Sequence, residues 1–146
     1  MPLFPSIEWF NAVREIINHD EAYRHLGTCD AEMGIEVGDK VYKLTFEAFE
    51  CTGVEEIPHS AADALDFTLV MPYAGWKEMI ENIKQNGRAD LHHTLNTLDL
   101  AAPDEFARSR DYYRRDLFYR FNQSFQNFFD ASAKIETQFA ASGVAG

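Results

Sequence analysis

No segment of this 146-residue chain approaches eighteen consecutive apolar residues, so no transmembrane helix is expected. The opening stretch MPLFPSIEW lacks both a basic start and a long apolar run, which argues against a signal peptide and for a cytoplasmic protein without stable membrane insertion. Cysteine is scarce: Cys29 and Cys51 form no C-x-x-C pair, and two small, buried, reduced thiols are predicted. Glycine-rich phosphate loops of the G-x-G-x-x-G or Walker kind are missing, as is a G-x-S-x-G nucleophile elbow. Positive charge is also thin, with 13 Lys and Arg against 24 Asp and Glu, a net charge of −11 and a pI near 4.7. Such a surface repels phosphate backbones and acidic headgroups, which excludes nucleic acid as the expected partner. Five histidines are present, but His92 and His93 are adjacent and diverge by about 100° on a helix. His19, His25 and His59 have no companion at metal-ligand spacing, so neither a metal nor another cofactor is expected.

What the chain does have is phenylalanine, 12 residues of it beside six tyrosines and two tryptophans. Six of the twelve phenylalanines lie in FYRFNQSFQNFFDASAKIETQF (118–139), which has no proline or glycine. Phe118, Phe121, Phe125, Phe128, Ser132, Ile135 and Phe139 alternate by three and four positions, the spacing of one helical stripe. The six phenylalanines of the segment amount to roughly 1,000 Å² of apolar surface. Monomers seldom expose more than about 300–600 Å² in one patch, so the stripe must be covered. The cover is core packing, an apolar guest, or another chain.

Ser6 is a natural N-cap for a helix carrying Ile7, Phe10, Val13 and Ile17 on one face, and Asp20 for a short second helix ending near Gly27. The period then changes to two. Ala31, Met33, Ile35 and Val37 alternate with polar residues, and Gly38-Asp39 has hairpin-turn chemistry. Folding there sets Ile35 opposite Tyr42, Met33 opposite Leu44 and Ala31 opposite Phe46, with Glu32, Glu36, Lys43 and Thr45 on the other face. A third strand follows in 48–57, with a bulge at Gly53, then a loop HSAADA and a fourth strand LDFTLVM. Pro72 opens a helix that Asn86-Gly87 closes, its inward positions being Trp76, Met79, Ile80 and Ile83. Leu91, Leu95 and Leu98 predict more helix from Arg88, and Pro103-Asp104-Glu105 another start. The fold class is α+β in a single domain, 1–146: an antiparallel four- to five-stranded sheet with N-terminal helices and long C-terminal helices packed on one face.

The opening helix with its tryptophan, the meander turned at Gly38-Asp39, and Ala62-Asp63 leading into LDFTLVM and then Trp76-Lys77-Glu78-Met79-Ile80 resemble the sterol carrier protein 2-like family over about residues 7–86. These motifs are diffuse patterns. The resemblance implies a curved five-stranded sheet with helices over one face, an apolar tunnel for fatty acyl chains, sterols or other lipids, and no catalytic residues. The chain departs from that pattern in its helical part, about 88–141, where a fifth strand fits only in TLNTLDLAA (94–102).

The function expected is non-enzymatic binding of a lipid or other hydrophobic small molecule. Its cavity would lie between a sheet face of Met33, Ile35, Leu44, Phe46 and Leu69 and helices bearing Trp76, Met79, Phe121, Phe125 and Phe128, with Tyr42 or Arg114 fixing a head group. An alternative is a homodimer or larger homo-oligomer through the 118–139 stripe, which spans three heptads. A third is a small enzyme acting on a hydrophobic substrate with His59, Asp63 or Asp66 in an apolar pocket. The segment RSRDYYRRD (108–116) reads as a solvated face, with Asp111 placed to meet Arg114 or Arg115.

Overall fold

After a two-residue strand, β1 (Leu3–Phe4), the computed structural model, which describes residues 2–102 and 106–140, opens its first helix at Ser6. Ser6 Oγ accepts the Trp9 amide at 3.0 Å and starts α1 (Ile7–Asn18), which buries Trp9, Phe10, Val13 and Ile17. Asp20 caps the single turn α2 (Glu21–Arg24) through the Ala22 amide.

The hairpin of β2 (Ala31–Val37) and β3 (Lys40–Glu47) has the register that alternation predicts, with Ile35, Met33 and Ala31 opposite Tyr42, Leu44 and Phe46. On the opposite face Lys43 reaches Glu32 at 2.9 Å and Glu55 at 3.6 Å. The third strand, β4 (Glu50–Ile57), is antiparallel to β3 and bulged: Thr45 faces Gly53 while Phe46 faces Cys51, leaving Thr52 unmatched.

Residues 58–66 then cross the sheet, and HSAADA is a 3₁₀ helix (His59–Ala64) within this crossover. It delivers β5 (Phe67–Met71) parallel to β2. The sheet is therefore mixed, a correction to the antiparallel expectation. A strand placed after a hairpin turn must run antiparallel to its neighbour, but one reached by a crossover is free to run parallel. Strand order is β4-β3-β2-β5-β6, and β6 is the pair Ala107–Arg108. The fifth strand is thus not in 94–102, where Thr94 instead caps the helix α4 (Leu95–Ala101). Between β5 and α4, α3 (Tyr73–Asn86) runs from Pro72 to Gly87, whose φ of 82° ends it. Leu91 does not join a helical stripe: it lies in a turn, 84% exposed. The expected helix start at Pro103-Asp104-Glu105 lies outside the described residues.

The Phe-rich stretch is not one helix. Tyr112–Arg120 form α5 and Asn122–Asp130 form α6, joined at Phe121, whose φ, ψ of −108°, 22° leave the helical region. A 3₁₀ turn (Ala131–Lys134) follows, then β7 (Gln138–Phe139). A straight helix of this length would be about 33 Å long and would overrun a sheet of five- to eight-residue strands. The break at Phe121 lets both halves press rings onto the same face. β7 runs parallel to β1, with the Gln138 amide donating to Pro2 O at 3.0 Å and the Ala140 amide to Phe4 O at 3.1 Å.

Those rings answer the covering problem of the sequence. Phe128, Phe46, Phe125, Phe67, Phe118, Phe106, Trp76 and Phe129 form a closed circuit of aromatic contacts, each centroid 5.3–6.1 Å from the next. Most are edge-to-face or tilted, the geometry the ring quadrupole favours. All eight side chains are essentially inaccessible to solvent.

Candidate functional site

The helical layer covers one sheet face; over the other, which bears Glu36, Thr68, Val70 and Arg108, the crossover forms a roof. Gly34 makes that roof fit. A Cβ there would lie 2.7 Å from Thr68 Oγ1 and 2.9 Å from a Leu65 methyl, so only glycine lets the crossover settle on β2 unhindered. Asp66 fixes the end of the crossover. Its Oδ2 accepts the Glu32 amide at 2.7 Å, its own amide donates back to Glu32 O at 3.0 Å, and Oδ1 accepts Arg114 Nε–H at 2.9 Å. Ser109 Oγ donates to Asp66 O at 2.7 Å, tying the segment after β6 to the same corner.

Two adjoining cavities result. The larger, about 510 Å³, is mostly apolar and is lined by Val70, Met71, Pro72, Leu98, Ala101, Ala102 and Phe106. The smaller, about 270 Å³, is polar and takes in His59, Asp63, Thr68, Ser109 and Arg110. Glu36, Val70 and Arg108 line both, so the two form one groove with a greasy arm and a charged arm. At the junction His59 Nε2 stands 3.4 Å from Glu36 Oε1. From the core side Trp76 Nε1–H donates to Glu36 O at 2.8 Å, which holds this part of the groove floor from behind.

The ten residues expected to touch a guest are brought together, but on the inner face. Met33, Ile35, Leu44, Leu69, Trp76, Met79, Phe125 and Phe128 are 0% exposed, and Phe46 1%. Phe121, at the break between α5 and α6, is half-buried against this core. None of the ten lines either arm of the groove. Tyr42, offered as a head-group contact, packs on Phe10 at 5.0 Å within the same core. Arg114, the other one offered, is engaged by Asp66 and by Ala64 O at 2.9 Å. The Asp111 carboxylate, expected to meet Arg114 or Arg115, caps α5 through the Tyr113 amide.

Of the acid–base candidates, His59 and Asp63 reach the polar arm together, while Asp66 is withdrawn into its structural corner. His93 lies between Asp90 Oδ1 at 2.7 Å and Glu78 Oε2 at 2.8 Å. The hydrogen bond from His93 holds the Asp90 carboxyl down to about 2, and the one to Asp90 raises His93 above its ordinary value. Among the described residues no group of three or more His, Cys, Asp or Glu is arranged to hold a metal ion. Both thiols are buried, and burial pushes each up to about 12, so neither is a nucleophile at neutral pH. Among the described residues no helix is long and apolar enough to cross a membrane.

Beyond His59 and Asp63, the groove residues do not read as a site in the sequence, because they come from four distant segments. Two signals were nonetheless present. Val70 is an aliphatic residue on the strand face that otherwise alternates polar, and five of the chain's eight arginines fall between 108 and 120. The chain matches no protein-family model, no curated protein and no solved structure.

Proposed function

We propose that this chain binds a hydrophobic small molecule without transforming it, and that the guest lies in the groove over β2, β5 and β6. The observation that carries this reading is the greasy arm itself. At about 510 Å³ it falls in the range of small-molecule pockets, roughly 300–1,000 Å³. A second cavity of similar size, about 570 Å³, is walled mostly by polar side chains, among them Asn86, Arg88, Asp90, Gln123, Gln126 and Asp130. A guest burying roughly 250 Å² of hydrocarbon gains about 6 kcal/mol before association costs, which leaves a binder in the tens of micromolar or weaker.

The class of guest is the one that the resemblance to the sterol carrier protein 2-like family implies. The function proposed keeps that family's class of ligand but takes the guest to the opposite face of the sheet, because the rings of 118–139 are packed into the inner one. For the same reason an oligomeric seam through that stripe lacks exposed rings to build it. Catalysis is not proposed: in the polar arm His59 is engaged by Glu36, and Asp66 holds the fold.

Dodecanol, a neutral guest, tests the reading by calorimetric titration below its solubility limit. Wild type binds it, and Ala101→Trp, which fills the greasy arm from an exposed helix end, abolishes binding while leaving thermal stability unchanged. Absence of binding to wild type, or binding indifferent to Ala101→Trp, overturns the groove reading.

A further inference from the structure

One imidazole links the turn between α3 and α4 to the outer side of α3. His93 Nδ1 stands 2.7 Å from Asp90 Oδ1 and Nε2 stands 2.8 Å from Glu78 Oε2, so both ring nitrogens face a carboxylate oxygen. An ionised carboxylate only accepts, and a neutral imidazole has a single N–H. Both bonds are therefore made only when the ring carries two protons. With one proton gone, a ring nitrogen turns its lone pair on a negatively charged oxygen.

The two bonds are unequally supported. Asp90 Oδ1 also accepts the His92 amide at 2.9 Å, Oδ2 accepts Asn82 Nδ2–H at 2.9 Å, and the Asp90 amide donates to Asn82 Oδ1 at 2.9 Å. The Glu78 side chain is 73% exposed, so its bond to His93 is the one that gives way. Glu78 from α3 and Asp90 from the turn are the charged groups facing the ring. Asp130 of α6 is directed instead to the Ala89 amide at 3.0 Å, with Arg88 acting on it, and Asp99 of α4 accepts the Tyr119 hydroxyl at 3.0 Å. The same turn walls the polar cavity of about 570 Å³ with Asp90, Leu91 and Thr94.

We propose that His93 is a proton-operated latch: with both ring nitrogens protonated it fastens the turn 88–94 to α3 and holds this wall of the polar cavity in place, and loss of one proton frees the turn from Glu78. The bonds to Asp90 and then Glu78 raise His93 above its ordinary 6.5. The latch is thus fully fastened below about pH 6.5 and opens as pH rises through the folded value.

NMR titration of the His93 ring, with hydrogen exchange of the Asp90, His92 and His93 amides corrected for its intrinsic pH dependence, tests this from about pH 5.5 to 8.5. In wild type, His93 is expected to titrate above its value in the urea-unfolded chain, and protection of the three amides to fall about fivefold across that step. Glu78→Gln supplies an amide that accepts from the charged ring and donates to the neutral one, so protection should stay constant within about twofold. A His93 titration at the unfolded value, flat protection in wild type, or an equal fall in Glu78→Gln overturns the latch.

Discussion

The Asn18 carboxamide holds both polar groups of Cys51: its oxygen accepts the Cys51 amide at 2.9 Å, and its nitrogen donates to Cys51 O at 2.9 Å. β4 is an outer strand of the sheet, and at Cys51 this side chain stands where a further strand would pair. Replacing Asn18 with alanine leaves the Cys51 amide without its acceptor and its carbonyl with only the longer bond from Arg14 Nη1 at 3.4 Å, at a cost of about 1–3 kcal/mol. Urea unfolding measures the loss, and sedimentation velocity is expected to show self-association through the uncovered edge. Unchanged stability together with an unchanged sedimentation profile contradicts this role.

The aromatic circuit implies an unequal penalty along the 118–139 segment. Phe128→Ala removes a ring in contact with Phe46 and Phe129 and is expected to cost about 3–5 kcal/mol. Phe121→Ala, at the break between α5 and α6 and only half-buried, is expected to cost less than half as much. Equal losses in chemical denaturation would show that the break does not relieve Phe121 of packing. Dodecanol binding in the outer groove should persist in a folded Phe128→Ala protein, since this ring lines neither arm.

Gly34 couples stability to the groove. A methyl added there meets Thr68 Oγ1 at 2.7 Å and Leu65 at 2.9 Å, both of them lining the polar arm. Gly34→Val is expected to lose about 1–3 kcal/mol and to weaken guest binding. Because Thr68 Oγ1 is the nearest atom, Gly34→Ala combined with Thr68→Ala, which removes it, should recover part of what Gly34→Ala alone loses. Additive losses in the double variant argue against a shared clash.

Alkaline pH should destabilise the fold. Burial, reinforced by Asp30, raises Cys29 from an ordinary 9.0 to about 12, and burial raises Cys51 from 9.0 to about 12. Burial also raises Tyr42 from 10.0 to about 12, and Tyr23 upward. Between these limits the unfolded chain has released protons that the folded one retains, so stability falls as pH rises. Below pH 9 the thiol contribution is complete. Scanning calorimetry should show the unfolding midpoint dropping by several degrees from about pH 9 upward. A Cys29→Ala, Cys51→Ala variant should show a shallower fall, and an identical profile would remove the thiols from the explanation.

Local chemistry was the legible part of this fold. Ser6, Asp20, Pro72 and Gly87 mark helix limits because capping is decided within one turn of chain. The β2–β3 register was legible because a one-residue slip would put Met33 and Ile35 in water. Pairing of β5 with β2 was not, since period-two alternation names a face but not a neighbour. The break at Phe121 was hidden because ring spacing continues through it, and β6, with two residues, is too short to carry a period. The same limit applies to the candidate site. The inner-face residues were found by alternation, whereas Val70, Leu98, Phe106 and Arg110 converge only after the crossover and β6 are in place.

The pairing of β1 with β7 has a mechanical consequence. The strands are parallel, so tension applied between residues 2 and 140 pulls β1 one way and β7 the other, along their common axis. The bonds from the Gln138 and Ala140 amides are then loaded together instead of opening one after another, and the Tyr73 hydroxyl, donating to Ala140 O at 2.7 Å, bears on the same point. This clasp is strongest in the direction in which a tether to both ends would stretch it, and weakest to a force that peels one strand sideways from the other.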